Sequence, residues 1–545
     1  MDKALIKYIS IGVVTLVLFF VNRNNKEKQS LDDYYIENIS SDPPTLDPHM
    51  CSDNVSCRVI ADIFEGLVCY NQQNEMELCG AEKYEVSEDG LKYTFYLRRD
   101  AKWSNGDAVT ADDYIFALQR ATNPKTAAPY SAQMLDIVNA AEILQGNLST
   151  TSLGVKKEGD YTLVIELKNK NHEFIHYLTL PIFYPVHKST IEKEEASWAT
   201  KPENIISNGA YKIIEWVHNG HIILNKNPHY WDQNNVKIEK VKFLMINDTT
   251  GDYTKFCNKE EHMTASKLPV EKVDWYRKKF GKEFVVYGGL TQERIVFNLK
   301  HKKFQNKCVR KALSMTLDRD SIVKNVLKGG HPSYCAVLET ISNGAFLNEL
   351  AKIEEFKWVN KKFNERVQEA KKLLEEAGYN KEHPLEIQLA FNIGGDNKAV
   401  AEAIQATWNT VFDGSVICSL LFEEWQTYLA NQRAGKYEMS RSGWGADFNL
   451  PSNFTQLYTT DSEFNFMGYS NHEVDQLYSK SLQANNNEDY IATQKEINKI
   501  ITCDYVAIPY TIKEYRRLVS KHVKGVDFSK NALDRFSTKY FELVK

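Results

Sequence analysis

The chain has 545 residues, of which 43% are hydrophobic and 26% are charged, with a formal net charge of −5 at pH 7. This length exceeds that of one ordinary core, so we expect two or three domains. Because the net charge is slightly negative, the composition does not indicate the strongly basic surface of a nucleic-acid-binding protein. Nucleic acid is therefore excluded as an expected partner.

The first 30 residues have the order of an export signal. Lys3 and Lys7 precede an apolar run at 9–21, and a polar, basic segment follows. The run is short for a membrane-spanning helix, which needs roughly 20 apolar residues. We expect export across a bacterial inner membrane to the periplasm, with residues 1–30 acting as a cleaved signal or, through residues 5–21, as a retained membrane anchor. A buried N-terminal helix is the alternative.

Beyond this segment the chain predicts interleaved strands and helices, without repeats, low-complexity tracts or long linkers. Strands are predicted by apolar alternation within four segments: 92–106, 161–167, 209–231 with a turn at Asn219-Gly220, and 384–392. A long α/β chain of this kind indicates domains joined by several chain crossings.

Two segments have clear helical patterns with capping residues. Residues 109–121 begin with Thr110 as the candidate N-cap and acidic residues in the first turn. Residues 364–379 have Asn364 as the candidate N-cap and Gly378 near the C-terminal end. Both segments are predicted to be amphipathic helices.

The nine cysteines contain no CxxC pair, which excludes a zinc ribbon and a thioredoxin-type motif. Cys69 and Cys79 flank a candidate hairpin, and they are the pair most worth testing for a disulfide. Buried free thiols that pack as small hydrophobic groups are an equal alternative.

Residues 172–176, HEFIH, have the His-x₃-His spacing of zinc metallopeptidases, with Glu173 as a candidate general base. A zincin helix needs several turns, whereas Pro181 leaves room for about two turns after His172. A zinc metallopeptidase is therefore kept only as the rival hypothesis, and packing or surface histidines are favoured.

Other catalytic signatures are missing from the sequence. It contains no GxSxG elbow, no GxxxxGK[ST] loop and no GxGxxG after a strand. We therefore predict no catalytic residue, no metal ligand and no cofactor.

The segment 423–454 has the most distinctive composition. It combines Arg441 and Asp447 with tryptophans and several small residues. In an extended strand side chains alternate, so Arg441 and Asp447 are expected on one face, where they would suit a zwitterionic ligand. The small residues would let a ligand backbone pair with the strand edge. An internal Arg441–Asp447 ion pair is the structural alternative.

This segment closely resembles the Arg-x-Gly-Trp-x-Ala-Asp segment of oligopeptide-binding proteins, which are family 5 extracytoplasmic solute-binding proteins of ABC importers. The resemblance covers nearly the whole chain after the export signal. Its other motifs include PPTLDPHM (43–50), LRRDAKWSNGDAVTADDYIFALQR (97–120), NPHYWD (227–232) and VRKALSMTLDRDSIV (309–323).

The resemblance implies an α/β fold of the periplasmic-binding-protein type II-like class, with mixed sheets, two large hinged lobes and an inserted third lobe. It divides the chain into lobe I (31–65 with 191–291 and 515–545), the inserted lobe II (66–190) and lobe III (292–514). A monomer would hold a peptide between lobes I and III and deliver it to a membrane permease that separate ATPases drive. A murein tripeptide or another modified peptide is the alternative ligand.

The resemblance also implies individual site residues. Asp447 would pair with the α-ammonium of the peptide, Arg441 would meet a peptide carboxylate, and Tyr130 would reach the cleft from lobe II. The other residues implied near the site comprise the strand that pairs with the peptide main chain, two cleft tryptophans and a segment of lobe I: Ser442, Gly443, Trp444, Gly445, Ala446, Trp425, Asn208 and Tyr211.

Several positions depart from the enterobacterial pattern. A disulfide between the positions of Thr291 and Gly445 is absent at both ends. The residues that in the enterobacterial pattern fix the end of the peptide opposite its amino terminus are replaced in this chain. Charged residues also stand at positions where aromatic residues are usual. These departures are Ser52, Gln432 with the adjacent Arg433, Asn397, Glu293 and Arg294. Recognition of the peptide amino terminus is therefore expected to be kept, with altered length and side-chain preferences.

Overall fold

The computed structural model describes residues 34–544, apart from 195–196, 267, 394–395 and 463. Strands and helices interleave along this part, which confirms the predicted mixed α/β class. The export signal predicted at residues 1–30 lies outside the described residues. Among the helices that are described, none has the length and apolar character needed to cross a membrane.

A five-stranded mixed sheet forms the centre of the C-terminal half. Its strands, in spatial order, are Val416–Glu423, Leu385–Asn392, Met439–Gly445, Phe284–Phe297 and Ala507–Leu518. The first pair is parallel, whereas Phe284–Phe297 runs antiparallel to both of its neighbours. Helices pack on this sheet around a buried core that includes Leu389 and Trp408.

Two four-stranded sheets and two small ribbons make up the rest of the strands. The first sheet has the order Tyr35–Asn38, Lys240–Leu244, His221–Lys226 and Tyr211–Val217. The second has the order Ala81–Val86, Lys92–Leu97, Thr162–Glu166 and Val155–Lys157. The ribbons are Val68–Tyr70 with Met76–Leu78, and Val523–Lys524 with Glu542–Leu543.

Each segment predicted to form strands does so. In Lys92–Leu97, alternate residues are buried, as a sheet with one face on a core requires. The turn at Asn219 places this residue at φ +58°, in the left-handed region that asparagine tolerates.

The α-helical segments range from single turns to 18 residues. They are Asn54–Ile63, Ala111–Ala121, Ala140–Leu144, Phe174–Tyr177, Lys188–Glu194, Thr249–Cys257, Val273–Phe280, Lys302–Gln305, Lys307–Met315, Arg319–Ser321, Ile341–Gly344, Phe363–Glu376, Asn397–Val411, Trp425–Arg433, Ser452–Thr455, His472–Leu482 and Asn487–Asp504.

Both predicted helices are present, and one predicted cap is wrong. Thr110 caps Ala111–Ala121, and its N–H donates to the Asp113 carboxylate at 2.8 Å. Phe363–Glu376 begins two residues earlier than an N-cap at Asn364 would allow, with Lys362 at the N-cap position. The reason is that the Glu365 carboxylate accepts a hydrogen bond from the Lys362 N–H at 3.3 Å, which closes the first turn around the earlier residue.

The predicted lobe boundaries at 291/292 and 514/515 fall inside two long paired strands, Phe284–Phe297 and Ala507–Leu518. Their register shifts between Gly288 and Gln292, so the ladder is interrupted close to both boundaries. The division into lobes stays a prediction. Each of these two strands runs across one predicted boundary, and it therefore connects the segments on the two sides of that boundary.

A buried ionic network joins the N-terminal strand, the helix Asn54–Ile63 and the C-terminal tail. Arg58 contacts Glu37 at 2.7 Å and Asp62 at 3.1 Å, and both carboxylates are almost fully buried. Asp62 also accepts hydrogen bonds from the Thr538 N–H at 2.7 Å and the Thr538 hydroxyl at 2.6 Å. The tail is thus held against the helix by charge-assisted bonds.

We predict that Arg58→Met lowers the free energy of unfolding by about 3–5 kcal/mol, because two buried carboxylates lose their cationic partner. Urea denaturation at pH 7 followed by circular dichroism measures the change. Lys83→Met removes the exposed ion pair with Glu85 and serves as the control, which should leave stability nearly unchanged. Equal effects of the two substitutions would contradict a structural role for the buried network.

Candidate ligand-binding site

A cavity of about 380 Å³ lies where separated parts of the chain meet. Its walls come from the start of the helix Asn54–Ile63 with the preceding residues, from Tyr130 and 179–184, from 444–447, and from the tail at 532–536. These parts belong to all three of the segments predicted as lobes. The volume lies within the range of about 300–1,000 Å³ that is usual for pockets that hold small ligands.

Asp447 places a carboxylate in the wall of this cavity, two residues after the strand Met439–Gly445 ends. Its backbone N–H donates to Asn453 Oδ1 at 2.8 Å, which fixes the turn. Burial raises the pKa of the Asp447 carboxyl above its ordinary value, and the nearby Arg535 guanidinium opposes that rise. The group is therefore a partly desolvated acceptor for a cation.

Arg535, in the C-terminal tail, is the cation that Asp447 contacts. Arg535 Nη2 donates to Asp447 Oδ1 at 3.2 Å. A guanidinium has five N–H donors, and within the described part of the chain this side chain makes no other hydrogen bond. Arg535 therefore presents unused donors to the cavity.

Tyr130 lies in the same electrostatic environment. The negative charge of Asp447, together with burial, raises the pKa of the Tyr130 phenol. The hydroxyl therefore stays protonated at neutral pH and acts as a hydrogen-bond donor or acceptor. The predicted contribution of Tyr130 to the cavity agrees with its position in the wall.

The strand Met439–Gly445 has a strand partner along only part of its second edge, and at Arg441 the backbone carbonyl accepts hydrogen bonds from the Tyr428 and Gln432 side chains. On one side it pairs along its whole length with Phe284–Phe297. On the other side only Met439 and Ser440 pair, with Leu389 and Ala390. Among the described strands none pairs with this second edge from residue 441 to residue 445, and Trp444, Gly445 and Ala446 line the cavity.

Arg441 is engaged elsewhere. Its guanidinium forms an ion pair with Glu293 of the neighbouring strand, and Nη1 donates to Asn392 Oδ1 at 3.3 Å. It does not line the cavity. Arg441 and Asp447 thus have different ionic partners, and the internal Arg441–Asp447 pair considered from the sequence does not form. The charged Glu293, noted as a departure, is the group that holds Arg441.

The remaining predicted residues lie outside the cavity wall. Asn208 is buried and bridges the Glu65 backbone with two hydrogen bonds of 3.0 and 2.8 Å. Trp425 and Arg433 are exposed at the two ends of one helix. Ser442 and Gly443 precede Trp444 in the strand Met439–Gly445. Tyr211 is buried, and its hydroxyl donates a hydrogen bond to a backbone carbonyl.

The positions of the absent family disulfide face each other directly. Thr291 is the cross-strand partner of Gly445. A side chain at Gly445 would meet the Thr291 hydroxyl at 3.2 Å. Both residues line the cavity.

The HEFIH residues form a packing cluster. Only Phe174–Tyr177 is helical, a single turn. The buried Glu173 carboxyl accepts hydrogen bonds from the Tyr490 hydroxyl at 2.6 Å and the Tyr177 hydroxyl at 3.2 Å. His176 Nδ1 lies 2.7 Å from the Tyr70 hydroxyl. The Glu173 carboxyl, which a zinc peptidase would need to activate water, is therefore already engaged.

Cys69 and Cys79 form a disulfide across the hairpin Val68–Tyr70/Met76–Leu78, as the sequence led us to test. With Glu77 they are the one group, among residues that the structure describes, with three potential metal-ligating atoms within 4.8 Å of one another. Because both sulfurs are bonded to each other, they are not free thiolates for a metal.

Sequence reasoning missed Arg535, Cys51 and Cys57, all of which line the cavity. Arg535 could have been considered as a site residue from the sequence, because it is a charged residue in the tail that the resemblance assigns to lobe I. The cysteines lie next to the LDP motif, although nothing local in their spacing of six marks them as a pair.

Comparisons with known proteins show the family of this chain. Residues 76–466 match the model of the bacterial extracellular solute-binding proteins, family 5. The chain belongs to this family. The periplasmic oligopeptide-binding protein OppA of Haemophilus influenzae is 33% identical to the chain, over 92% of this chain and 91% of its own.

Solved structures of the family show the same fold. H. influenzae OppA in complex with the peptide RPPGFSPFR superposes with a TM-score of 0.79 at 31% identity, and covers 94% of this chain and 99% of its own. The murein tripeptide binding protein MppA of Escherichia coli has a TM-score of 0.80 at 28% identity, with 94% and 98% covered. The predicted periplasmic-binding-protein type II-like class is thereby confirmed.

We predict that Arg535→Ala raises the pKa of Asp447 further, because burial then acts without the opposing guanidinium. A carboxyl titration followed by NMR measures this pKa. Arg535→Lys keeps a positive charge and should shift the pKa by less. An unchanged Asp447 pKa in Arg535→Ala would contradict the coupling of the two groups.

Proposed function

We propose that this protein captures oligopeptides outside the cytoplasm and delivers them to the membrane permease of an ABC importer. The observation that carries the proposal is the Asp447 carboxylate in a cavity beside an unpaired strand edge. These features match the two groups that every unmodified peptide has, an α-ammonium and a main chain with alternating donors and acceptors.

In the proposed complex the peptide α-ammonium binds Asp447. Among the residues that the structure describes, only Arg535 donates a hydrogen bond to this carboxylate, which therefore keeps lone pairs for the ligand. A partly desolvated carboxylate binds an ammonium more strongly than an exposed one does, because the local dielectric is lower. Contacts of this kind do not depend on the peptide sequence.

The peptide main chain extends along residues 442–445, whose second edge lacks a strand partner within the described chain. Backbone pairing of this kind adds the ligand as an extra strand. Arg535 offers its unused N–H donors to a peptide carbonyl or carboxylate. Side chains of the ligand would occupy the hydrated remainder of the cavity, which tolerates variation.

Closure of the predicted lobes I (31–65, 191–291 and 515–545) and III (292–514) around the peptide completes capture, with lobe II (66–190) as part of the wall. The chain has no nucleotide-binding loop, so separate ATPase subunits would drive transport. In this proposal the protein is a monomeric periplasmic carrier without catalytic activity, exported by residues 1–30 or anchored by residues 5–21.

The relatives support a peptide ligand and leave its type to experiment. The H. influenzae relative is named as an oligopeptide-binding protein and is solved with a nine-residue peptide, while the E. coli neighbour is named for a murein tripeptide. Calorimetric titration with free peptides of two to nine residues, and separately with murein tripeptide, tests the proposal. Absence of binding to every peptide would overturn it.

We predict that Asp447→Ala weakens peptide binding by about 2–5 kcal/mol, which corresponds to roughly 30-fold to several thousand-fold in Kd. The reason is that the buried ammonium of the ligand loses its counter-ion. N-acetylated peptides should bind the unmodified protein poorly for the same reason. Calorimetry with matched free and acetylated peptides measures both effects.

Asp274→Ala is the matched control, since the Asp274 side chain is 87% exposed on the helix Val273–Phe280. It should leave the Kd unchanged. Equal affinities for free and acetylated peptides would contradict the role of Asp447 even if peptides bind.

Peptide affinity should also depend on pH. The bound ammonium favours ionised Asp447, so binding has its full strength above the Asp447 pKa of the free protein and weakens progressively as pH falls below it, towards the lower pKa of Asp447 in the complex. Burial places this pKa above the ordinary 3.8, so the loss begins at higher pH than for an exposed aspartate. Above about pH 8 the peptide amine loses its proton and binding falls again. Titrations between pH 4 and about 9 check this, and in Asp447→Asn the acidic decrease should disappear.

A further inference from the structure

Two cysteine side chains meet in the wall of the ligand cavity. Cys51 Sγ and Cys57 Sγ lie 2.7 Å apart, and both residues line the cavity. Cys51 is buried and Cys57 is half-buried. A disulfide has an S–S bond of about 2.05 Å, so a small shift of either side chain would bring the two sulfurs to bonding distance.

The helix cap holds these thiols together. Asp53 is the N-cap of Asn54–Ile63, and its carboxylate accepts a hydrogen bond from the Ser56 N–H at 2.9 Å. The Cys57 N–H donates to the Asp53 carbonyl at 3.0 Å. Cys51 precedes this cap and Cys57 lies in the first turn after it, so their approach follows from the backbone conformation of one short segment.

The surroundings make Cys57 the more reactive thiol. The hydrogen bond with Cys51 lowers the pKa of the Cys57 thiol below its ordinary value, and the positive charge of Arg535 lowers it as well, whereas burial and the negative charges of Asp53 and Asp447 oppose this. The amino-terminal end of a helix also favours a thiolate. The hydrogen bond with Cys57 raises the pKa of the Cys51 thiol, so the two thiols are suited to successive roles.

We propose that Cys51 and Cys57 form a reversible disulfide in the wall of the ligand cavity, and that this bond increases affinity for the ligand. The oxidant is a disulfide-bonded donor, such as an oxidised dithiol oxidoreductase or oxidised glutathione. The Cys57 thiolate attacks one donor sulfur, forms a mixed disulfide and releases one donor thiolate. Cys51 then loses its proton and attacks Cys57 Sγ, and the second donor thiol leaves.

The balance of this reaction is one donor disulfide and two protein thiols converted to two donor thiols and one protein disulfide. The bond fixes Cys51 relative to the first turn of Asn54–Ile63, and it thereby fixes one part of the wall of the cavity that Asp447 and Arg535 also line. When the disulfide has already ordered this part of the wall, less conformational entropy is lost on ligand binding. We therefore expect the disulfide form to bind ligand about threefold to tenfold more tightly than the dithiol form.

Thiol mapping on the full chain tests the site without any ligand. Cys51 and Cys57 share one tryptic peptide, since no Lys or Arg separates them and Arg58 follows. After treatment with oxidised glutathione, N-ethylmaleimide and trypsin, this peptide should carry no maleimide and should lack two hydrogens. After dithiothreitol it should carry two maleimides. Alkylation of both cysteines after oxidation, or their pairing with other cysteines, would overturn the proposal.

The proposed effect of the disulfide on affinity rests on the proposed peptide-binding function. It is measured by calorimetry with a free tripeptide such as trialanine, once with the disulfide form and once with the dithiol form. Cys51→Ser/Cys57→Ser should lose the redox dependence while it keeps Cys69–Cys79, and the exposed Cys257→Ser should keep it. Equal Kd values in both states would overturn the effect on affinity. A disulfide that forms in a protein that binds no peptide in either state would refute the proposed function and leave the modification site standing.

Discussion

The ligand cavity depends on the buried carboxylate of Asp62, which holds the C-terminal tail against the helix Asn54–Ile63. Asp62 is compensated by Arg58 and accepts hydrogen bonds from Thr538. A buried carboxylate without such partners would be strongly destabilising. Because the tail carries Arg535 and the helix segment carries Cys51 and Cys57, this one anchor sets the positions of three groups in the cavity wall.

The cavity contains an ion pair before any ligand arrives. Arg535 occupies one oxygen of Asp447, which offsets part of the cost of burying that carboxylate. In the proposed complex, a ligand ammonium would therefore share Asp447 with Arg535. This arrangement favours ligands that add an acceptor for the guanidinium together with the ammonium, as the amino-terminal residue of a peptide does with its own carbonyl. Arg441, by contrast, is neutralised by Glu293 and contributes to the sheet.

Local pattern and tertiary contact contributed differently to what could be predicted. The strands at 92–97 and 385–392 and the helix Ala111–Ala121 follow from alternation, periodicity and capping, all of which are local. Asp447, Trp444, Gly445, Ala446 and Tyr130 were placed at the cavity by resemblance to a family motif, and they line it. Arg441 shares that motif but pairs with a residue 148 positions away, a contact that no local rule predicts.

The α/β class, the main strands and helices, and the resemblance to the family could be read from the sequence, because they depend on short-range pattern or on the order of motifs along the chain. Only the tertiary structure decided which charges meet. Arg535 with Asp447, Glu293 with Arg441, Glu173 with Tyr490, and Cys51 with Cys57 in a ligand cavity are set by how distant segments or a capped turn fold together. The physical reason is that ionic and thiol chemistry acts over a few ångströms in space, whatever the separation along the chain.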